Sequence, residues 1–309
     1  MWIIKNRVIF YVFSAILIIS SILSLSIWGL QVGIDFKGGS AIEAVYKDAR
    51  PEFATVDANI SALSQTLNLG TYTLRPVGDK EYSIKTRFLT DTERAQVVGV
   101  FSNKGAIKVE TNVSSIGPTI GEESARKAYV AIALVILCIV LFITFVFRHV
   151  SKPVASWKFG LMAIVALAHD VIIPTGAFAV LGHYLGYEVD TLFVTALLVI
   201  LGFSIHDTIV VYDRIRENLN ISHRDNDKKS FETIVGESVR QTFVRSINTS
   251  MSTILALVVL YFLGAEATRH FSLALIIGIA VGTYSSIFIA SALLVTIQKW
   301  QDKPVVKNK

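Results

Sequence analysis

The sequence predicts a polytopic α-helical membrane protein. It is expected to have six transmembrane helices and one extracytoplasmic α+β domain, ferredoxin-like, between helices 1 and 2. Three observations carry this. The 309 residues are 52% hydrophobic and only 17% charged, with mean hydropathy +0.56, far from a soluble globular composition. Six apolar stretches approach or reach the ~20 residues needed to cross a bilayer. The one sizeable connection, about Gly33 to Lys127, changes character. Between Gly29 and Ala128 the chain carries 12 Lys/Arg and 12 Asp/Glu.

The apolar stretches run near Val8–Trp28, Tyr129–Phe147, Lys158–Leu181, Thr191–Tyr212, Phe243–Leu263 and Phe271–Ile297. Positive charge sets their direction. Lys5 and Arg7 precede the first span. Arg148, Lys152 and Lys158 lie between the second and third. Arg214, Arg216, Arg224, Lys228, Lys229 and Arg240 lie between the fourth and fifth, and Lys299, Lys303, Lys307 and Lys309 close the chain. Six spans put all of these on one side, so both termini are expected in the cytoplasm. The first apolar run exceeds the roughly 7–15 residues of a signal-peptide core, which favours an uncleaved span. The expected organisation is a cytoplasmic N-terminus and first span over 1–32 and an outer domain over 33–128. Five spans follow over 129–298, then a cytoplasmic tail over 299–309.

The outer domain reads as βαββαβ. Ala41–Tyr46 alternates like a strand, and Val56–Leu67 has helical apolar spacing. Thr71–Val77 and Glu81–Phe88 read as strands joined at Gly78-Asp79, and Thr90–Phe101 as a helix whose Thr90 and Glu93 fit a capping box. Ala106–Val113 is the last strand. That order matches a ferredoxin-like sandwich. Glycines flank it in GIDFKGG (33–39) and IGPTIGEE (116–123). Neither has the spacing of a phosphate loop. Tight turns are the simpler reading, and a hinge the functional one.

Ionisable residues at membrane depth single out the chemistry. Asp207, preceded by His206, lies in the fourth span, and Asp170, preceded by His169, in the third; Arg245 opens the fifth. An intramembrane carboxylate costs roughly 2.5–3.5 kcal/mol on insertion scales and is a functional candidate by default. Asp207 falls roughly 25 Å along its helix from the outer end and Arg245 within the first turn from the inner end, so neighbouring helices bring them level. Asp170 is roughly 18 Å into its span, one turn before Pro174. A carboxylate balanced between desolvation and a guanidinium can load and release protons, which makes Asp207 and Arg245 the proton-relay candidates. A static ion pair fixing helix register is the bland alternative. His169, His206 and Asp170 are supporting relay candidates. Two His-Asp pairs do not make a metal site without further ligands. In the last span, Ala274, Gly278, Gly282, Ser286 and Ala290 recur every four residues. This small-residue face is expected to pack within the chain, or against a second membrane protein. Asp190 is expected to cap the fourth span, and the charges from Asp213 to Glu217 to sit at a helix end among headgroups. The positive excess sits beside spans, which argues against nucleic acid. Cys138 alone permits no internal disulfide, and no serine elbow, metal motif or nucleotide loop supports an enzyme.

Six stretches together carry a family resemblance: GIDFKGG (33–39), SIGPTIGEE (115–123), ALAHDVIIPTG (166–176), LGFSIHDTIVVYDRIREN (201–218), RSINTS (245–250) and LIIGIAVGTYSSIFIASALL (275–294). The chain resembles the SecD/SecF family of bacterial protein-export membrane proteins, a branch of the resistance-nodulation-division superfamily, over nearly its whole length. The resemblance implies a six-span half of a two-half architecture in the bacterial cytoplasmic membrane, with SecD as its partner. It implies use of the proton motive force to move unfolded preprotein delivered by the Sec channel (SecYEG) and its accessory membrane subunits. Protons are the coupling ion and no cofactor is involved. Asp207 and Arg245 occupy the proton-responsive positions, and His206 replaces the asparagine common before that aspartate. A proton-coupled exporter of small molecules or lipids and a non-transporting structural subunit are the competing readings.

Overall fold

A computed structural model of the chain describes residues 2–103, 107–146, 156–227 and 229–301. Ala106, Phe147, Arg148, Lys152, Lys228, Lys303, Lys307 and Lys309, used in the sequence reading, lie outside them. The chain forms two compact units, Val32–Tyr129 and the remainder.

The smaller unit contains β1 (Gly39–Tyr46), α2 (Phe53–Leu67), β2 (Thr73–Val77), β3 (Glu81–Thr86), α3 (Asp91–Phe101) and β4 (Val109–Ile116), with α1 (Arg7–Trp28) preceding it in the chain. The strands are all antiparallel in the order β2-β3-β1-β4. Each βαβ half is thus split by a strand of the other, consistent with the ferredoxin-like expectation. The two-residue alternation decides the faces. Ile42, Ala44 and Tyr46 of β1 and Tyr82 and Ile84 of β3 are buried with Val56 and Ile60 of α2 and Val97 and Phe101 of α3. The capping box of α3 forms. The Thr90 hydroxyl accepts from the Glu93 amide, and the Glu93 carboxylate accepts from the Thr90 amide at 2.8 Å. Arg87 adds an ion pair to Glu93, and these donors hold the Glu93 carboxyl down at about 2.

The two glycine motifs meet. Gly38 and Gly39 have positive φ, as turns require. Gly121 does not; a Cβ there would lie 2.6 Å from the Gly38 amide nitrogen. The second motif is therefore no loop. From Pro118, whose missing N–H is harmless at a helix start, it opens α4 (Pro118–Val146). The helix begins well before the expected Tyr129.

The larger unit holds α1, most of α4, α5 (Ser156–Leu185), α6 (Thr191–Arg224), α7 (Phe231–Leu263), α8 (Glu266–Tyr284) and α9 (Ser291–Gln301). A π-helical segment, Ser285–Ala290, joins the last two. Among the described residues, six helical runs are long and apolar enough to cross a membrane. Asp190 caps α6 by accepting from the Phe193 amide at 2.8 Å. α6 and α7 outrun their apolar stretches. Their polar ends pair, with Asn218 donating to Ser238 at 2.8 Å and Arg214 to Gln241 at 2.6 Å. Glu232 at the start of α7 binds Arg7 at 3.2 Å and Lys299 at 2.5 Å, tying both ends of the chain to one carboxylate. α9 continues to Gln301, so the first residues of the expected tail are helical. α5, α6 and the last span form the centre, and α1 and α4 are largely exposed.

Candidate functional site

The small-residue face of the last span packs inside the chain. A Cβ on Gly278 would lie 2.1 Å from Ile200 Cδ1, and one on Gly282 would lie 3.1 Å from Ser204 Cβ. One and two turns on, Ser286 shares a hydrogen bond with Thr208 at 2.9 Å, and Tyr212 donates to the Ala290 carbonyl at 3.3 Å. The four-residue repeat lets the last span lie against α6 at backbone distance. That closeness brings small hydroxyls to the carboxylates.

Asp170 is fully buried on α5. Its Oδ1 lies 2.8 Å from His169 Nδ1. Its Oδ2 accepts from Ser204 of α6 and from Ser285, the first residue of the π-helix, the latter at 2.7 Å. His169 Nε2 is 3.2 Å from the Ser14 hydroxyl of α1, and its ring stacks on Tyr284 with centroids 6.2 Å apart. Residues from α1, α5, α6 and the last span thus meet at one carboxylate and its histidine. Pro174, four residues beyond Asp170, cannot donate the helical hydrogen bond to the Asp170 carbonyl.

Asp207 is different. It is 6% exposed, and Ser246 of α7 donates to its Oδ1 at 2.6 Å. Its Oδ2 is buried without a hydrogen-bond partner among the described residues. Arg245 precedes Ser246 and so shares the level of Asp207, yet its side chain is exposed and no ion pair joins the two among the described residues. The juxtaposition expected from helix depth is present, and the direct contact is not. His206 faces outward, away from the bundle, while His169 faces in. Below Ser246, Ser250 donates to the Ser246 carbonyl at 2.9 Å and shares a 2.5 Å hydrogen bond with Thr283 of the last span.

The sequence reading did not assign Ser14, Ser204, Ser246 or Ser285. In hindsight the signal is burial inverted. Ser14 and Ser21 are the buried residues of α1, while Ile9, Phe13, Ile16, Ile19, Ile22 and Ile27 are exposed, as in helices that associate through small polar residues in lipid.

The family described as protein export membrane protein SecD/SecF, C-terminal, matches residues 97–300. The chain is 40% identical to the protein translocase subunit SecF of Thermobaculum terrenum, covering 99% of this chain and 95% of that one. It is 36% identical to the SecF subunit of Anaerolinea thermophila, covering 95% and 92%. Among solved structures, the translocon-associated membrane protein SecDF of Thermus thermophilus superposes with a TM-score of 0.80 at 31% identity. That match covers 96% of this chain but 38% of the SecDF chain. SecDF in a super-membrane-facing form gives 0.64 at 30% identity.

Proposed function

The chain belongs to the SecD/SecF family of protein-export membrane proteins, and we propose that it couples proton entry at Asp207 to preprotein movement. It acts as a SecF-type translocase subunit, with no enzymatic chemistry and no cofactor beyond the proton. In this reading both termini are cytoplasmic, as the Lys and Arg placement favours, and the βαββαβ domain lies on the outer side of the bacterial cytoplasmic membrane. The partners are a SecD subunit, whose six-span half completes the architecture, the Sec channel, and the unfolded preprotein.

The observation that carries the reading is the half-satisfied carboxylate. A buried oxygen without a partner is costly, and Asp207 Oδ2 is such an atom. Two events relieve it. A proton neutralises the group and leaves the Ser246 bond in place. Alternatively, the Arg245 guanidinium, one residue along α7, swings in and pairs with the bare carboxylate. The site alternates between these states, and each proton crossing the membrane supplies about 2.3 kcal/mol per 100 mV to drive the exchange. A static register-fixing pair would be closed, and Arg245 is open. A scaffold subunit gains nothing from the orphaned oxygen. The small-molecule exporter reading has less to rest on, since the groove beside Asn59, Leu63, Gln96 and Asn103 in the smaller unit is lined by polar as well as apolar side chains.

The test uses sealed inverted vesicles containing the chain, SecD and the channel, loaded with an arrested preprotein and lacking ATP. Asn at 207 imitates the loaded form and cannot release a proton. Asp207→Asn is expected to insert and assemble normally but to ignore an imposed proton gradient that drives completion in wild type. Equal responses from the two would remove the proton role from Asp207.

A further inference from the structure

Among the described residues the buried carboxylates are Asp170 and Asp207, and they are built for opposite tasks. Asp207 has one oxygen bonded and one empty. Asp170 has both oxygens engaged: His169 at Oδ1, Ser204 and Ser285 at Oδ2. It is sealed at 0% exposure. Among the described residues no acidic or basic side chain besides His169 meets it from the elements packed around it. α1 offers Ser14 through His169, α6 offers Ser204, and the last span offers Ser285 and the ring of Tyr284.

We propose that Asp170 is a positioning residue, a fixed hub that sets the rotation of α6 and of the last span so that Asp207 faces Ser246. The path is continuous. Asp170 holds Ser204, one turn before Asp207 on α6, and Ser285 on the last span. The π-helix begins at Ser285. There the chain leaves regular α-geometry, in which successive side chains diverge by about 100°. Ser285 turns toward α5, while Ser286, the next residue, bonds Thr208 at 2.9 Å and the Ser204 carbonyl at 3.3 Å. Thr208 adjoins Asp207 in the chain. Single-turn π-bulges inside α-helices recur at functional sites, and here the bulge sends adjacent serines to different helices. His169 extends the hold to α1 through Ser14. The assignment separates Asp170 and His169 from proton transfer itself.

The register can be read by cross-linking in the assembled complex in membranes, in a Cys138→Ala background. The reporter pair is Thr208→Cys with Ser286→Cys. The control pair is Ser40→Cys with Ser115→Cys, whose hydroxyls share a 2.9 Å hydrogen bond between β1 and β4 of the smaller unit. Asp170→Ala is expected to slow the reporter disulfide at least about tenfold, the scale of losing one hydrogen bond to a charged group, and to spare the control pair. Asp170→Asn, which keeps an acceptor for Ser204 and Ser285, is expected to preserve both. If Asp170→Ala lowers insertion, Ser285→Ala replaces it and is expected to slow the reporter pair selectively. An unchanged reporter rate in the alanine variant that inserts overturns the proposal. So does equal loss of reporter and control. The proposal rests on the proton reading of Asp207 for its purpose, so gradient-driven completion is measured alongside. Asp170→Asn is expected to respond to the gradient, and an Asp170→Asn complex with normal cross-links and no response would make Asp170 a proton carrier and overturn the assignment. Failure of wild type to respond would sink the Asp207 reading and leave the cross-linking result standing on its own.

Discussion

Ser246 and Arg245 place the two alternatives for Asp207 side by side on one helix: a hydroxyl bonded at 2.6 Å and an exposed guanidinium that makes no ion pair with it among the described residues. Removing the hydroxyl strips the carboxylate of its described donor. A hydrogen bond to a charged group is worth about 1.5–3 kcal/mol, which is roughly tenfold or more in the balance between states. Ser246→Ala is therefore expected to cut gradient-driven preprotein completion about tenfold with normal insertion, whereas Ser246→Thr, which keeps a hydroxyl, is expected to stay near wild type. Equal activity of the alanine variant would show that the hydroxyl is incidental. Asp207 was legible in the sequence because a carboxylate stands out in an apolar run. Ser246, Ser204, Ser285 and Ser14 were not. A lone serine in a span can satisfy itself on a carbonyl one turn back, as Ser250 does on Ser246, so nothing in the pattern separates a site hydroxyl from an idle one. Nor does sequence show that Arg245 is turned away, because helix depth fixes level and not the rotamer of a long side chain.

Helix boundaries and glycines carry the next scale. Within one motif, Gly117 and Gly121 differ. A Cβ at Gly117 meets nothing within 4 Å, and one at Gly121 meets the Gly38 backbone at 2.6 Å. Gly117→Ala is expected to leave thermal stability in detergent unchanged. Gly121→Ala should lower it by about 1–3 kcal/mol, the usual cost of overpacking. In the last span Gly278→Ala should cost a similar amount, and shortening Ile200, whose Cδ1 lies 2.1 Å from the new methyl, should recover part of it. Additive losses in the double variant would refute the contact. On α3, the Arg87 side chain, with the Thr90 amide and hydroxyl, holds the Glu93 carboxyl at about 2. A depressed carboxyl contributes stability above its unfolded value, and that contribution is lost as pH falls from about 4.5 to about 2. Hydrogen exchange at the start of α3 should accelerate across that window, and Glu93→Gln should remove the dependence. The capping box and the strand alternation were readable because each is a local rule. The early start of α4, the long polar ends of α6 and α7, and the π-helix were not. Each is decided by what the segment packs against.

At the scale of the whole chain, the larger unit leaves a polar stripe uncovered at membrane depth. Arg245, Asn248, Thr249 and Ser252 of α7 are exposed, as is His206 on neighbouring α6. Thr249 and Ser252 donate to carbonyls of their own helix at 2.9 Å each, but lipid tails offer Arg245, Asn248 and His206 no hydrogen bond, so the isolated chain holds these at a cost that a second membrane subunit would relieve. The span count was legible from the six apolar runs, and the smaller unit from the balanced charge between them. The direction of this stripe required the fold, since it depends on which side of α7 meets α6. The six-span unit is thus complete as a bundle and incomplete as a membrane surface. The chain produced without a SecD partner is expected to turn over several-fold faster than with it, because a deficit of about 1–2 kcal/mol is enough to change abundance by that much. A pulse-chase in membranes reads this directly. Replacing Asn248 and Thr249 by leucine should lengthen the half-life of the lone chain and weaken its capture by SecD, since an apolar stripe suits lipid better than a polar partner. Identical half-lives with and without the partner would mean that the stripe is content in lipid, and the two-half assembly would then have to rest on another face.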